Sequence, residues 1–192
     1  MATAEVDIAN SALAKLGAPL ITALTDSVRA ATLCNERYEA CRDKLLASHP
    51  WNFATKRTEL AATVDEPEFD YTTEFALPAD CLRVLDTNLV EGEEWEVENG
   101  VSGARVLVCN SSTCKIKYIK KVTDVTLYPP YFEEVLAILL AADIAYAITQ
   151  SNTVKQDMWN AYKAEVREAR SIDAQEAQKA AFETNPWIDV RW

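Results

Sequence analysis

Few residues in this sequence could carry out nucleophilic chemistry. A serine or cysteine nucleophile needs a base held beside it, and the only histidine is His49. His49 precedes Pro50 at the end of a predicted helix, where a contact with the helix dipole or a structural role is favoured over catalysis. No Gly-rich phosphate loop, HExxH or CxxC motif occurs in a chain with four glycines. The sequence therefore predicts no catalytic residue, no metal site and no cofactor.

Carboxylates provide the other candidate chemistry. Glu93, Glu94 and Glu96 lie on or beside a predicted strand, and strand alternation would point Glu94 and Glu96 the same way. Paired carboxylates carry out glycoside hydrolysis, but acids are so frequent in this segment that such pairs also arise by chance. A glycan-hydrolysing enzyme is therefore the alternative, and a binding or structural protein that is not an enzyme is favoured by elimination.

The five cysteines are expected to be free thiols in a reducing compartment, since an odd number cannot pair completely within one chain. Cys34 and Cys41 lie seven residues apart on a helical pattern, which predicts small core residues on one face. Cys109 and Cys114 bracket a predicted turn and could face each other across a hairpin. Whether these two form a disulfide is left open.

The acidic charge is concentrated in one part of the chain. The sequence has 192 residues, 49% of them hydrophobic, with 19 Lys and Arg against 30 Asp and Glu, a net charge of -11. Residues 65–98 contain twelve acids and a single base, Arg83, and thus account for the whole excess. The apolar content of the chain is enough to build a core. Its negative charge argues against a protein that binds DNA by neutralising phosphate. Three interpretations remain: a solubilising rim, a surface that faces DNA without adhering, or a contact with a basic partner. The acids of this candidate channel or partner surface are Glu91, Glu93, Glu94, Glu96 and Glu98.

Neither terminus nor interior predicts a membrane protein. The N-terminal residues lack the basic and apolar regions of a secretory signal, so synthesis and assembly in a cytoplasm are expected. The most apolar stretch, 135–148, is shorter than the roughly 20 residues that a spanning helix needs.

Helical patterns occur at both ends of the chain. Thr3 is expected to cap a first helix that ends near Leu16, with Gly17 as its stop signal, and a second helix runs from near Ser27 to His49. The second helix carries a seam of small or apolar residues, namely Ala31, Cys34, Tyr38, Cys41 and Leu45.

Two further helices are predicted after the consecutive prolines 129 and 130. The third begins at Tyr131, is apolar all round and should be the central helix. The fourth begins with a capping box at Thr153 and could continue to about Ala181. Its predicted apolar stripe is Met158, Tyr162, Val166, Ala169 and Ile172.

Between the helical halves the composition favours strands. Five β-leaning runs, at 51–60, 81–89, 93–98, 104–109 and 113–122, are separated by turn-forming residues. The Asn99-Gly100 pair predicts a hairpin turn, because these residues accept positive φ angles. Trp51 and Phe53 would alternate on the first strand and pack the sheet onto the helices.

The predicted fold is α+β, mainly a bundle of about four helices with an inserted small antiparallel β-sheet and an extended C-terminal arm. Residues 1–50 and 128–181 form the bundle, 51–127 the β-rich subdomain, and 182–192 a docking arm. A chain end is usually polar unless something holds it, so the apolar residues of the arm predict a docking surface. They are Phe182, Pro186, Trp187, Ile188, Val190 and Trp192. Folding of the arm back onto its own bundle is the alternative.

Four fragments, in this order, resemble one family of proteins. They are LAKLGAPLI at 13–21, RYEACRDKLLASHPWNFATKRTEL at 37–60, FALPADCLRVL at 75–85 and PPYFEEVLAILLAADIAYAIT at 129–149. The most specific pieces are His49–Phe53 and Leu77–Val84. Together they are similar to the tail adaptor proteins of short-tailed bacteriophages, the tail tubular protein A or head-to-tail connector group.

This resemblance implies a virion structural protein of the phage tail. It implies a helical bundle with a β insertion, arranged as a twelve-membered ring that joins the portal protein to the tail nozzle protein and extends the DNA channel. DNA would pass through without specific binding, and no catalytic residue is implied. A head-completion protein of a long-tailed phage would share the bundle but meet a different downstream partner.

Overall fold

The computed structural model describes residues 4–65, 67–90, 92–100 and 103–176. Its elements are α1 Glu5–Lys15, α2 Arg29–Ser48, β1 Thr55–Glu59, β2 Thr73–Ala76, β3 Cys81–Thr87, β4 Trp95–Asn99, β5 Arg105–Cys109, β6 Lys115–Lys120, α3 Pro130–Thr149 and α4 Asn152–Gln175. Single 3₁₀ turns lie at Asn52–Ala54 and Val125–Leu127. Helices flank an antiparallel β region, which confirms the predicted α+β class.

Helix α3 lies at the centre of the bundle, as its sequence predicts. Because its own apolar side chains point in all directions, exposure of any side of this helix to water would cost free energy. α1, α2 and α4 all pack against it, and eleven of its twenty residues are buried. The predicted seam of α2 is also confirmed, since every member of it is buried. Among the helices of the described residues, none has the length and apolarity needed to cross a membrane.

The C-terminal end of α1 agrees with the sequence prediction, whereas its N-terminal end differs. Ala4 rather than Thr3 takes the N-cap position, and the Asp7 carboxylate accepts the Ala4 backbone N–H at 3.1 Å. Gly17 follows the helix with a φ of 67°, the left-handed conformation that ends many helices and that glycine adopts without strain. The predicted stop is therefore confirmed and the predicted cap is wrong by one residue.

Two other helix starts are also displaced. α2 begins at Arg29 rather than near Ser27. α4 has Ser151 as its N-cap, with the Ser151 hydroxyl accepting the Val154 N–H at 3.4 Å, in place of the predicted capping box at Thr153. Several polar residues near a helix start can each cap it, so sequence alone locates such an end only to within a few residues.

The β region contains two three-stranded antiparallel sheets rather than one small sheet. Sheet A has the strand order β1-β6-β3, and sheet B has the order β2-β5-β4. The unpredicted strand is β2, whose four residues are too few to show a clear alternation. The two sheets share an apolar cluster of Leu60, Phe75, Cys81, Leu107, Cys109, Cys114, Ile116 and Tyr118.

The segment that joins α2 to β1 is a 3₁₀ turn and not part of a strand. Trp51 is fully buried, and its Nε1 donates to the carbonyl of Leu45 at 3.0 Å. Phe53 packs edge-on against Phe132 with ring centroids 4.9 Å apart. The strand assignment of Trp51 and Phe53 is therefore wrong, although both rings pack against the helices as expected.

β4 and β5 form the predicted hairpin with a different turn. Asn99 pairs with Arg105 in the ladder, and the N–H of Gly100 donates to the carbonyl of Ala104 at 2.9 Å. Among the described residues of this turn, the positive φ, 78°, falls on Gly103 and not on Asn99 or Gly100. The Asn-Gly pair thus marks the place of the hairpin without supplying its left-handed residue.

Candidate interaction surfaces

The predicted docking arm lies outside the described residues. This applies to its six apolar residues, Phe182, Pro186, Trp187, Ile188, Val190 and Trp192, and to the predicted continuation of α4 as far as Ala181. The description of the chain ends at Glu176, the C-cap of α4. The described residues do show how this end of α4 is held.

A buried carboxylate that the sequence analysis missed, Asp173, holds the end of α4. It accepts the backbone N–H of Asn52 at 3.0 Å and the hydroxyl of Tyr131 at 3.1 Å. Its second carboxylate oxygen lies 3.3 Å from Nε2 of His49, and the Asn52 side-chain amide donates to the Asp173 carbonyl at 2.6 Å. Asp173 therefore links the ends of α2 and α4, the start of α3 and the turn before β1. This contact gives His49 a structural role, as the sequence favours.

The spacing of the buried residues in α4 indicates that Asp173 is buried. The predicted apolar stripe ends on Ile172, but Ile172 is 38% exposed whereas Asp173 is 2% exposed. Val166, Ala169 and Asp173 follow at spacings of three and four, which places them on one helical face. An acid that continues a buried stripe requires polar partners. The position of Asp173 in the helix therefore indicates its burial more reliably than its residue type does.

The predicted acidic surface lies partly on the outer face of sheet B. Glu96 and Glu98 on β4 pair with Val108 and Val106 on β5, and Glu74 on β2 lies across Val108 from Glu96. By strand alternation these three carboxylates share a face. A cavity of about 430 Å³ opens over this face. Its lining includes Glu68, Phe69, Asp70, Tyr71, Glu74, Glu96 and Glu98.

Glu74 is the buried member of this acidic cavity. It is 4% exposed, and its Oε1 accepts the hydroxyl of Thr63 at 3.2 Å. Gly100 approaches so closely that a Cβ there would lie 2.8 Å from the same oxygen, so a larger residue would displace the carboxylate. Desolvation and the nearby carboxylate of Glu96 raise the pKa of Tyr71. Tyr71 therefore stays neutral among the acids.

The cavity groups the acids differently from the sequence prediction. Glu93 and Glu94 are exposed but do not line it, and the Glu93 carboxylate accepts the N–H of Val90 at 3.3 Å. Glu91 lies outside the described residues. The structure thus places Glu96 with Glu98 and Glu74 around one cavity, rather than with Glu94. Within 4–65, 67–90, 92–100 and 103–176, no group of three or more His, Cys, Asp or Glu side chains could hold a metal ion.

All five cysteines are buried free thiols. Cys109 ends β5 in sheet B and Cys114 immediately precedes β6 in sheet A, and a hydrogen bond between their two thiols shows that the side chains face each other as predicted, as free thiols and not as a disulfide. Burial raises the pKa of Cys114 to about 11, and it raises the pKa of Cys34 and Cys41 to about 11 as well. These thiols are poor nucleophiles, because the thiolate is the reactive form.

A basic surface on sheet A was also missed by the sequence analysis. β1 and β6 together contain five bases and one acid, namely Lys56, Arg57, Lys115, Lys117, Lys120 and Glu59. By register and strand alternation, Arg57, Glu59, Lys115 and Lys117 share one face, whereas Lys56 and Lys120 lie on the other. A groove of about 540 Å³ at the open end of sheet A is lined by Arg57, Glu59, Asp86, Lys115 and Lys117, among others. The bases were visible in the sequence, but the pairing that brings the two strands together was not, because they are separated by more than fifty residues.

No protein-family model matches this chain, and no curated protein matches it either.

Proposed function

We propose that this chain is a bacteriophage virion protein, a head-to-tail adaptor that forms a ring, joins the portal to the tail nozzle and extends the DNA channel. The proposal begins from the ordered fragments that resemble tail adaptors of short-tailed phages. The observation that carries it is a helical bundle whose apolar core, among the described residues, extends from Ile8 to Ala169, together with a C-terminal sequence that contains Trp187 and Trp192.

The extent of the described core supports a partner-binding role for that segment. The main core cluster draws on all four helices, and Trp51, Phe53, Tyr128 and Phe132 fill the space beside the start of α3. Among the described residues, the bundle thus has a continuous core drawn from all four helices. Buried aromatic anchors supply a large share of binding energy at interfaces, so a tryptophan-bearing end is suited to docking on the portal.

In this proposal the portal acts as the template for the ring. Its own rotational symmetry presents repeated sites, each of which binds one arm, and the adaptors that are held there make lateral contacts with their neighbours. The far side of the ring then offers a composite surface to the nozzle. The protein would be assembled in the host cytoplasm and would reside in the virion tail.

The exposed acids fit two roles within such a ring. Carboxylates that line a channel repel phosphate, so DNA slides instead of binding. Alternatively, the acids contact a basic partner. Glu93 and Glu94 are exposed outside the acidic cavity and could face DNA, whereas Glu96 and Glu98 lie beside a cavity that a partner could enter.

Truncation after Ala181 tests the proposal. The truncated chain should unfold at the same temperature as the full chain, because the described core ends before that residue, yet it should no longer attach to portal-bearing heads in negative-stain images. The matched control is the full chain with Lys163→Ala, a change at an exposed position of α4. Unchanged attachment of the truncated chain would exclude the arm as the docking element. Failure of the full chain to bind any head would contradict the adaptor function itself.

The same images address the head-completion alternative. An adaptor of a short-tailed phage should add to the portal and then accept a nozzle, whereas a head-completion protein should add to heads that continue into a long tail. Attachment to the second kind of head alone would favour that alternative.

A further inference from the structure

The outer faces of sheets A and B carry opposite charge and point in opposite directions. On β6, Ile116 joins the apolar cluster between the sheets, so alternation points Lys115 and Lys117 away from sheet B. On β4, Trp95 packs against the same cluster, so Glu96 points away from sheet A. The β region is thus a two-layer unit. The outer face of sheet B is acidic, whereas the face of sheet A that points away from sheet B packs on the helices at Ile119 and carries the bases Arg57, Lys115 and Lys117 towards its other end.

The basic face contains a like-charge pair. Arg57 on β1 lies directly opposite Lys117 on β6, an arrangement that destabilises a sheet. Among the described residues neither side chain lies within ion-pairing distance of an acid, although Asp86 pairs with Lys117 in the ladder. Lys115 is partly neutralised by Glu59, 3.5 Å away. An anionic partner in this groove would relieve the repulsion between Arg57 and Lys117.

The acidic face offers such a partner together with an exposed aromatic ring. Phe69 is 75% exposed at the cavity, with Glu68 and Asp70 on either side in the chain. Glu96 and Glu98 are exposed at the same cavity. An exposed aromatic side chain among charges is typical of an interaction surface. The methylene stems of lysine and arginine can cover such a ring, and a guanidinium can stack on it.

We infer that the basic groove of sheet A binds the acidic outer face of sheet B on a second copy of this chain. The contact joins Arg57 and Lys117 of one copy to Glu96, Glu98 and Phe69 of the next. The charges are complementary, and because the two faces point in opposite directions, each copy can bind one neighbour on each side.

A contact of this kind is heterologous, and it closes into a ring when the rotation between neighbours permits. The inference rests on the proposed function in assuming that copies assemble laterally. Solvent-exposed charge pairs bind weakly and are screened by salt, so isolated copies should associate weakly and become ordered once a template holds them side by side.

Charge exchange tests the contact. The variant Arg57→Glu/Lys117→Glu makes the basic groove acidic, and the variant Glu96→Lys/Glu98→Lys introduces two bases at the contact positions of the acidic face, where Glu68 and Asp70 remain. Neither should bind itself, whereas an equimolar mixture of the two should associate, because each face then meets its opposite. Sedimentation velocity over a series of protein concentrations, at about 20 mM salt, measures the association.

Wild-type chain should associate reversibly at low salt, and each double variant should show a dissociation constant raised at least about tenfold. The mixture should recover most of that loss, and about 0.5 M salt should dissociate all of these assemblies. The control Lys163→Glu/Arg167→Glu makes the same change in net charge as the groove variant, but on the exposed face of α4, and should associate like wild type. Because Lys117 is half-buried, Arg57→Gln/Lys117→Gln serves as a milder variant, which should also weaken association.

Three outcomes would overturn the inference. They are a wild-type chain that stays monomeric at low salt up to its solubility limit, double variants that associate like wild type, and a mixture that shows no recovery. If the groove variant loses DNA binding while its self-association is unchanged, the groove binds nucleic acid and not a second copy of the chain. Attachment to heads is measured separately from self-association. If the full chain fails to bind heads but the charge-exchange variants behave as expected, the adaptor function is contradicted and the contact between copies is supported.

Discussion

The Nε2 atom of His49 lies 3.3 Å from a carboxylate oxygen of Asp173, which joins the C-cap of α2 to the last turn of α4. Arg170, almost one turn earlier in α4, donates to the carbonyl of Ser48 at 3.3 Å. The end of α4 is thus fixed to the end of α2 by two neighbouring polar contacts. These contacts hold the last turn of α4, where the description of the chain ends.

Replacing Asp173 with alanine should destabilise the protein strongly. The change leaves the Asn52 N–H and the Tyr131 hydroxyl without their acceptor, and we expect the free energy of unfolding to fall by about 2–4 kcal/mol. Asp173→Asn keeps one acceptor oxygen and should cost less. Urea unfolding measures both. Asp157→Ala, at an exposed position of the same helix, is the control and should change the free energy by less than about 0.5 kcal/mol. Equal losses for Asp173→Ala and Asp157→Ala would show that Asp173 does not hold the helix end.

His49 should make the stability depend on pH just below neutrality. Burial lowers the pKa of His49 below 6.5, Asp173 opposes that shift, and Arg170 and Arg83 add to it. The unfolded chain then binds the proton more readily than the folded one, so the free energy of unfolding should decrease as the pH falls below 6.5. Urea midpoints over roughly one pH unit below 6.5 measure this slope, which His49→Gln should reduce. An identical slope in wild type and His49→Gln would assign the dependence to other groups.

The helical half of the fold was predictable because its signals are local. Cys34, Tyr38 and Cys41 follow one another at spacings of four and three, and that pattern alone places them in the core of α2. The uniform apolarity of α3 likewise identifies it as the central helix. In both helices the residues that define the pattern are also those that make the contacts.

The surfaces were not predictable for the opposite reason. Arg57 and Lys117 lie sixty residues apart in the chain and become neighbours only through the pairing of β1 with β6, which no local pattern specifies. β2 was missed because a four-residue strand shows little alternation, and without it a second sheet cannot be deduced. Asp173 was missed because its polarity suggested exposure, although its spacing from Ala169 indicated burial.

Trp51→Ala should be among the most damaging single changes in the chain. Trp51 is fully buried, packs edge-on against Phe132 and donates to the Leu45 carbonyl, so its removal creates a cavity and loses a hydrogen bond. We expect a loss of about 3–5 kcal/mol in the free energy of unfolding. Trp51→Phe keeps much of the aromatic packing and should cost about 1–2 kcal/mol, chiefly for the unpaired carbonyl. Thermal and urea unfolding compare the two. A loss below about 1 kcal/mol for Trp51→Ala would mean that the joint between α2 and β1 tolerates repacking.

Thiol titration should find five cysteines that react slowly while the protein is folded. Burial raises the pKa of Cys34, Cys41 and Cys114 to about 11, so at pH 8 little thiolate is present and access is poor. An aromatic disulfide reagent should therefore label the native protein slowly and label all five thiols once denaturant is added. A count of three in denaturant, two fewer than five, would reveal a disulfide. Peptide mapping would then test whether Cys109 and Cys114 form it.

Single glutamine substitutions at Glu93, Glu94 and Glu96 separate the adaptor from a glycan-hydrolysing enzyme. A structural protein should release no reducing sugar above background, and none of the three changes should alter that. If wild type does hydrolyse a glycan, loss of a catalytic acid or nucleophile should lower the rate on the order of a hundredfold or more. The geometry restricts where that loss can occur, because Glu96 lines the acidic cavity and Glu93 does not. A collapse with Glu96→Gln and none with Glu93→Gln would therefore place an active site in the cavity and contradict the adaptor as the sole function. Equal, partial losses at all three positions would indicate only a change in surface charge.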